Sequence, residues 1–143
     1  MALLLVFASC LNSDLDDVPT FDENDILNIK FEHRWAVAEG TSEKLRVQTM
    51  ETSFQINDDL KVISCEITVP SASGEFTENI RNQVSLSSLV GYTSISPAAT
   101  ITPLDGSTIL GTPGDWSRQN EYLVKAADGS EEVWTIEVVQ FNK

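Results

Sequence analysis

Residues 120–141 read NEYLVKAADGSEEVWTIEVVQF, and this stretch decides the fold. Apolar and polar residues alternate on both sides of Asp128-Gly129, which is typical of two strands that each bury one face. Asp-Gly supplies the positive φ angles of a tight turn, so the stretch predicts a β-hairpin. The residues expected on its buried face are Tyr122, Val124, Ala126, Trp134, Ile136 and Val138.

The same period of two recurs nearer the N-terminus. In ILNIKFEHRW, residues 26–35, it predicts a strand with a buried face, and in KVISCEITVP, residues 61–70, it predicts a second one. The first buried face comprises Leu27, Ile29, Phe31, His33 and Trp35, and the second Ile63, Cys65, Ile67 and Val69. We expect further short strands within residues 82–89 and 92–104, with Pro97, Pro103 and Pro113 at edges and bends.

These strands recur at intervals of about ten residues, and no segment shows a sustained helical period. A chain of 143 residues is long enough for one domain with a hydrophobic core. The sequence therefore predicts an all-β fold: an immunoglobulin-like antiparallel β-sandwich of about seven strands, over residues 26–143.

Composition limits the partners. The chain carries 22 acidic and 9 basic residues, a formal charge of -13, which repels nucleic acid. Its two cysteines, Cys10 and Cys65, lie in unlike contexts and do not read as a disulfide, and one histidine cannot make a His-rich metal site. We expect no cofactor and no metal.

The N-terminus begins with an apolar run, residues 2–8, that is too short to span a bilayer but long enough for the apolar region of an export signal. Small residues precede Cys10, and this pattern resembles the lipobox of bacterial lipoproteins. The resemblance implies a signal peptide over residues 1–9 and a lipid anchor on Cys10. The run lacks a preceding Lys or Arg, which a start codon assigned too far downstream would explain; an apolar strand or a cloning remnant is the alternative.

Residues 10–25 are acidic, contain no basic residue and show little hydrophobic periodicity, so they predict a solvated tether behind the lipidated cysteine. An acidic run at this place resembles the surface-export signal of Bacteroidetes lipoproteins. It implies a protein anchored in the outer membrane and facing the cell exterior. A charged spacer with no sorting role is the open alternative.

Residues 94–139 resemble the C-terminal half of small immunoglobulin-like domains found in lipoproteins of gut Bacteroidetes. The matching positions are Ser96-Pro97, Asp115-Trp116, the hairpin arm from Tyr122 to Gly129 and the return strand from Trp134 to Val138. The resemblance covers nearly all of residues 26–140. It implies a fold rather than a catalytic site, and some such proteins accompany polysaccharide-uptake systems.

Enzymatic activity is not expected. His33 lies on the buried face of a predicted strand, where it reads as a packed histidine rather than a catalytic base. The acidic residues concentrate in the tether and at hairpin edges, and no phosphate-binding or dinucleotide motif occurs. An enzyme would need carboxylates that converge in a deep pocket.

Aromatic side chains are the candidates for ligand binding, because sugar rings stack on aromatic faces. Trp35, Tyr92 and Trp116 would form a glycan platform if they met at one end of the sandwich; dispersed, they would be packing residues. Trp134 is expected in the core. We therefore hold two hypotheses: an accessory module that binds glycans or joins a nutrient-uptake complex, and a protein-interaction module that uses an unpaired sheet edge.

Overall fold

The computed structural model describes residues 21–143, in which nine strands, one short α-helix and one 3₁₀ turn follow one another. The helix α1 spans Glu78–Gln83, and the 3₁₀ turn spans Leu86–Ser88. The strands are β1 (Ile26–Glu39), β2 (Ser42–Thr49), β3 (Glu51–Asn57), β4 (Val62–Thr68), β5 (Leu89–Ile95), β6 (Thr100–Pro103), β7 (Pro113–Gly114), β8 (Asn120–Lys125) and β9 (Glu131–Asn142).

The strands form two sheets that pack as a sandwich, which confirms the predicted fold class. One sheet has the order β2-β1-β5-β7 and the other β3-β4-β9-β8-β6. All neighbouring strands in residues 21–143 are antiparallel except β4 and β9, so the sandwich contains one parallel pair that the antiparallel prediction did not include. Alternation along a strand fixes which side chains are buried but not the direction of the neighbouring strand.

The C-terminal hairpin forms between β8 and β9 as predicted. Its turn differs from the predicted Asp128-Gly129 turn, because only Gly129 has a positive φ angle, 93°. The amide of Gly129 donates to the Ala126 carbonyl, and the amide of Ala126 donates to Ser130, which closes a three-residue loop. Asp128 favours this loop because its carboxylate accepts hydrogen bonds from both the amide and the hydroxyl of Ser130.

Strand β1 begins where predicted, but its first inward residue is Ile26 rather than Leu27. The pairing of β1 with β5 shifts between Ile26 and Asn28, so an extra residue interrupts the alternation there. Ile26 is buried, and Leu27 points to solvent with 52% of its surface exposed. From Ile29 onward the predicted alternation holds, with Phe31 and His33 buried as expected.

Two segments differ from the sequence-based expectation. Residues 41–57, for which no strand was predicted, form β2 and β3, while residues 82–89, predicted as a strand, hold the end of α1 and the 3₁₀ turn. Thr77 begins the helix by accepting a hydrogen bond from the Ile80 amide, and Ser85 begins the 3₁₀ turn by accepting one from Ser87. These serine and threonine caps compete with strand formation.

The core joins both sheets. The predicted inward face of β4 is fully buried, and Cys65 lies in it with the pKa of its thiol raised to about 12 by burial and by the Glu137 carboxylate. Trp134 is buried as predicted. Pro103 ends edge strand β6 and Pro113 lies in edge strand β7, as expected of prolines in sheets.

The part of the predicted tether that the structure describes, residues 21–25, is attached to the sandwich. The carbonyl of Asn24 accepts a hydrogen bond from the Trp134 indole, and Asp25 forms an ion pair with Lys61 at 3.0 Å. The Lys61 ammonium also lies 4.7 Å from the centre of the Trp134 ring. Residues 24 and 25 are thus bonded to the sandwich and half-buried, whereas residues 21–23 are exposed. The predicted signal peptide, Cys10 and the rest of the tether lie outside the described residues.

Candidate functional site

Trp116 lies in the core and offers no surface to a ligand, since only 1% of it is exposed. Its indole nitrogen donates to the carbonyl of Leu89 at 3.0 Å, and its ring meets the edge of Phe31 with centroids 4.9 Å apart. A methyl group at Gly91 would overlap the indole, so β5 needs glycine opposite this ring. The binding role considered for Trp116 is thus wrong, and the residue is a packing element.

Buried hydrogen bonds hold the segment that carries Trp116. The Asn120 side chain accepts from the Thr108 amide at 2.7 Å and donates to the carbonyls of Asp115 and Arg118. The Tyr122 hydroxyl donates to the Thr108 carbonyl. Because each of these polar groups finds a partner, the segment between β6 and β8 can pass over the core without leaving these buried groups unpaired.

Tyr92 and Trp35 lie on opposite faces of the same sheet. Tyr92 pairs with Lys30, and its neighbour Gly91 pairs with Phe31 and faces the core, so Tyr92 points away from the core. Trp35 is two residues beyond buried His33 on the inward face of β1. The structure therefore does not bring Trp35, Tyr92 and Trp116 together, and the expected aromatic platform is not formed.

Trp35 borders a shallow apolar cleft between the end of β1 and helix α1. Its ring lies 5.9 Å from that of His33 in a stacked arrangement and 5.8 Å from that of Phe76. The cleft has a volume of about 460 Å³. Its lining comprises Trp35, Ala36, Val37, Ala38, Glu75, Thr77 and Ile80.

Among the strands of residues 21–143, the C-terminal half of β1 has a neighbour on one side only. Pairing with β5 ends at Glu32, whereas pairing with β2 continues to Glu39. Residues 34–47, which we call the arm, therefore extend beyond β5 as a two-stranded ribbon. Gly40 turns the ribbon with a φ angle of 67°.

The backbone of the arm presents unpaired groups toward the cleft side. The Phe31 carbonyl accepts from the Met50 amide, so the odd-numbered residues of β1 bond toward β2. Even-numbered residues bond the other way in an antiparallel ladder, and the register beside β2 has no shift. The amides and carbonyls of Ala36 and Ala38 therefore face a side on which no strand within residues 21–143 pairs with them.

His33 is buried beside this edge without a hydrogen-bond partner in the described part of the chain for either ring nitrogen. Burial lowers the pKa of the imidazole, and the positive charge of Lys143 lowers it further. The ring is thus held neutral between apolar neighbours. This environment fits the packed histidine that the sequence predicted.

The remaining titratable groups do not converge on a site. Within residues 21–143, no three His, Cys, Asp or Glu side chains come close enough together to hold a metal ion. Asp115 and Asp128 have lowered pKa values because Ser117 and Ser130 donate hydrogen bonds to them within turns. None of the helices described is long and apolar enough to cross a bilayer.

Sequence reasoning missed the arm, although a signal for it was present. The alternation of residues 26–35 continues through Ala36-Val37-Ala38, and Gly40 precedes another alternating run that contains Leu45 and Val47. Glycine at the first position of a two-residue loop is typical of a hairpin turn. The arm extends beyond β5 because β5 begins only after the 3₁₀ turn ends. The alternation of apolar and polar residues does not predict where that turn ends.

A family model and a solved structure both match the part of the chain that forms the sandwich. The family model described as DUF5018-related matches residues 26–137. A crystal structure described as that of a "putative secreted protein" from Bacteroides fragilis NCTC 9343 is 36% identical in sequence, with a TM-score of 0.80, over 87% of this chain and 100% of that chain. No curated protein matches. The predicted resemblance to Bacteroidetes domains of unknown function is confirmed, whereas the lipid anchor and the link to polysaccharide uptake stay predictions.

Proposed function

We propose that this chain, which belongs to the DUF5018-related family, is a lipid-anchored envelope protein whose sandwich binds other proteins and catalyses no reaction. The observation that carries the proposal is the edge of β1 at Ala36 and Ala38, which no strand within residues 21–143 covers and which lies next to an apolar cleft. Sheet edges of this kind accept strands from other chains.

The envelope location has two supports. The similar Bacteroides fragilis structure is described as a secreted protein, which fits an extracellular or cell-envelope location for a chain 36% identical to it. The sequence adds the lipobox-like residues before Cys10. Several acyl chains on one cysteine would hold the protein at the membrane far more firmly than one chain could.

Protein binding is favoured over glycan binding by the placement of the aromatic residues. A sugar platform needs exposed rings that face the same space, and Trp116 is in the core while Tyr92 and Trp35 occupy opposite faces of a sheet. The arm instead offers backbone groups and apolar side chains together. These are the features that bind an extended peptide.

The anchor is tested by feeding cells an alkyne-tagged fatty acid while they produce the full chain or its Cys10→Ala variant. We expect label on the full chain in the membrane fraction and none on the variant, which should be released. Mass spectrometry of the N-terminal peptide checks the site. An unlabelled chain with its first nine residues intact would contradict the anchor.

Binding of other proteins is tested with a photo-crosslinking amino acid placed at Val37 in the cleft and, as the matched control, at Tyr92 on the opposite face of the sheet. In cells that naturally produce the chain, we expect one defined heavier adduct from Val37 and little from Tyr92. Absence of adducts from both positions would contradict a protein-binding function. Binding of purified full chain on a glycan array would favour the sugar-binding alternative.

A further inference from the structure

We propose that the arm binds an extended strand of a partner protein that carries apolar residues at alternate positions and basic residues at its ends. The partner strand would continue the sheet beside Ala36 and Ala38, in the position that β5 leaves empty beyond Glu32. This inference rests on the proposed protein-binding function and specifies its site and partner chemistry.

The backbone sets the first requirement. Ala36 and Ala38 each present an amide donor and a carbonyl acceptor in the ladder spacing of β1, and an extended chain is the structure that satisfies such a row. Their small side chains leave space on the outer face for the side chains of the incoming strand. A helix or a rigid sugar would leave these groups unpaired.

The cleft sets the second requirement. Trp35 and Val37 project from β1 toward Ile80 of the neighbouring helix, so every second residue of an added strand would enter a space of about 460 Å³ with an apolar lining. Aromatic and β-branched residues on adjacent strands form favourable cross-strand pairs with apolar neighbours. The partner therefore needs apolar side chains at alternate positions.

Charge sets the third requirement and disfavours a second copy of the chain as the occupant. Around the cleft the most exposed charged groups are carboxylates, with Glu39, Glu75 and Glu78 between 63% and 72% exposed. Arg46 and Arg81, their ion-pair partners, are largely covered, although Lys44 is half exposed. Two copies would each bring a formal charge of -13, whereas a strand flanked by Lys or Arg would be attracted.

The test uses the purified full chain and a synthetic peptide, acetyl-Lys-Lys-Val-Thr-Val-Thr-Val-Lys-Lys-amide, with binding followed by tryptophan fluorescence and by NMR of the arm amides. We expect saturable binding and slower hydrogen exchange at Ala36 and Ala38. The same peptide N-methylated at alternate amides should bind about tenfold more weakly, because it cannot complete the ladder. A version with Glu in place of Lys should also bind more weakly.

Two proline variants locate the strand. Ala36 pairs with Leu45 across the arm, and their amides face opposite edges of the ribbon. Ala36→Pro should weaken peptide binding about tenfold, whereas Leu45→Pro, the matched control, should leave it within about twofold. Equal losses in both variants, no loss in Ala36→Pro, or no binding of the unmodified peptide at millimolar concentration would overturn the proposal.

Other occupants give distinct results. If a second copy fills the edge, sedimentation velocity of the full chain without peptide will show a dimer that Ala36→Pro dissociates, and the proposal fails. If residues 1–20 of the same chain fill it, the peptide will bind only after their removal, and the proposal also fails. Heavier adducts from Val37 that persist in Ala36→Pro cells would preserve the protein-binding function while removing this strand site.

Discussion

Trp116 and Trp35 both pack near β1, but their surroundings differ. Trp116 meets Phe31, bonds to a backbone carbonyl and is covered by a loop whose polar groups are paired. Trp35, four residues further along β1 than Phe31, lies between His33, which has no hydrogen-bond partner within residues 21–143, and an apolar cleft. The first tryptophan completes the fold, and the second borders the cleft where we propose that a partner strand binds.

The largest expected effect comes from removing the packed tryptophan. Trp116→Ala should lower the free energy of unfolding by about 3–5 kcal/mol, because it leaves a cavity beneath the loop. Trp35→Ala should cost roughly 1–2 kcal/mol, because part of that ring is already in contact with solvent. Urea denaturation followed by circular dichroism measures both. Equal losses would show that the two sites are packed alike.

A second test concerns the buried amide that holds the loop over Trp116. Asn120→Ala should lower the free energy of unfolding by about 2–3 kcal/mol, because the Thr108 amide then has no acceptor in a buried place. The matched control is Asn28→Ala, whose side chain bonds to Ser94 at the surface, with an expected cost under about 1 kcal/mol. Similar losses in the two variants would mean that the loop does not depend on this residue.

The sequence predicted the parts of the fold that alternation controls. The faces of β4 and of the C-terminal hairpin follow from period-two patterns, and Pro103 and Pro113 lie on edge strands as expected. The parallel pairing of β4 with β9 could not be read, since strands distant in sequence can meet in either direction. The strand predicted within residues 82–89 was wrong because alternating serine and leucine residues are also compatible with a capped helical turn.

Residue type alone was not sufficient to predict which aromatic side chains are exposed and could contact a ligand. Tryptophan after Asp115 in a loop can be an exposed ring or a plug of the core, and the sequence favoured the plug without deciding it. The outcome depends on Gly91, which lies on a distant strand and leaves room for the indole. The unpaired edge depends on the lengths of β1 and β5 relative to each other. Neither relation is encoded in a local pattern.

Acidification should lower the free energy of unfolding through the titration of His33. Because its pKa is lowered in the folded protein, the unfolded chain takes up a proton first as pH falls below the ordinary value of 6.5. Stability should therefore fall on acidification through this range, by up to about 1.4 kcal/mol per pH unit. His33→Phe should remove this component while leaving the carboxylate titrations near pH 4 in place. Parallel stability curves for the two proteins between pH 5 and 8 would contradict the buried neutral imidazole.

The smallest expected effect is also the one that bears most directly on the open edge. Ala36→Pro removes an amide that pairs with no strand of residues 21–143, so it should cost about 1 kcal/mol or less. Val37→Pro removes an amide that faces β2 and should cost roughly 2 kcal/mol or more. Urea denaturation of the two variants measures the difference. If Ala36→Pro were as damaging as Val37→Pro, the Ala36 amide would have to be bonded within the chain, and the edge would not be free for a partner. If the difference is found, alternate amides of β1 have different roles. The odd-numbered amides bond to β2 and hold the arm together, whereas the even-numbered amides of Ala36 and Ala38 are available to a partner strand.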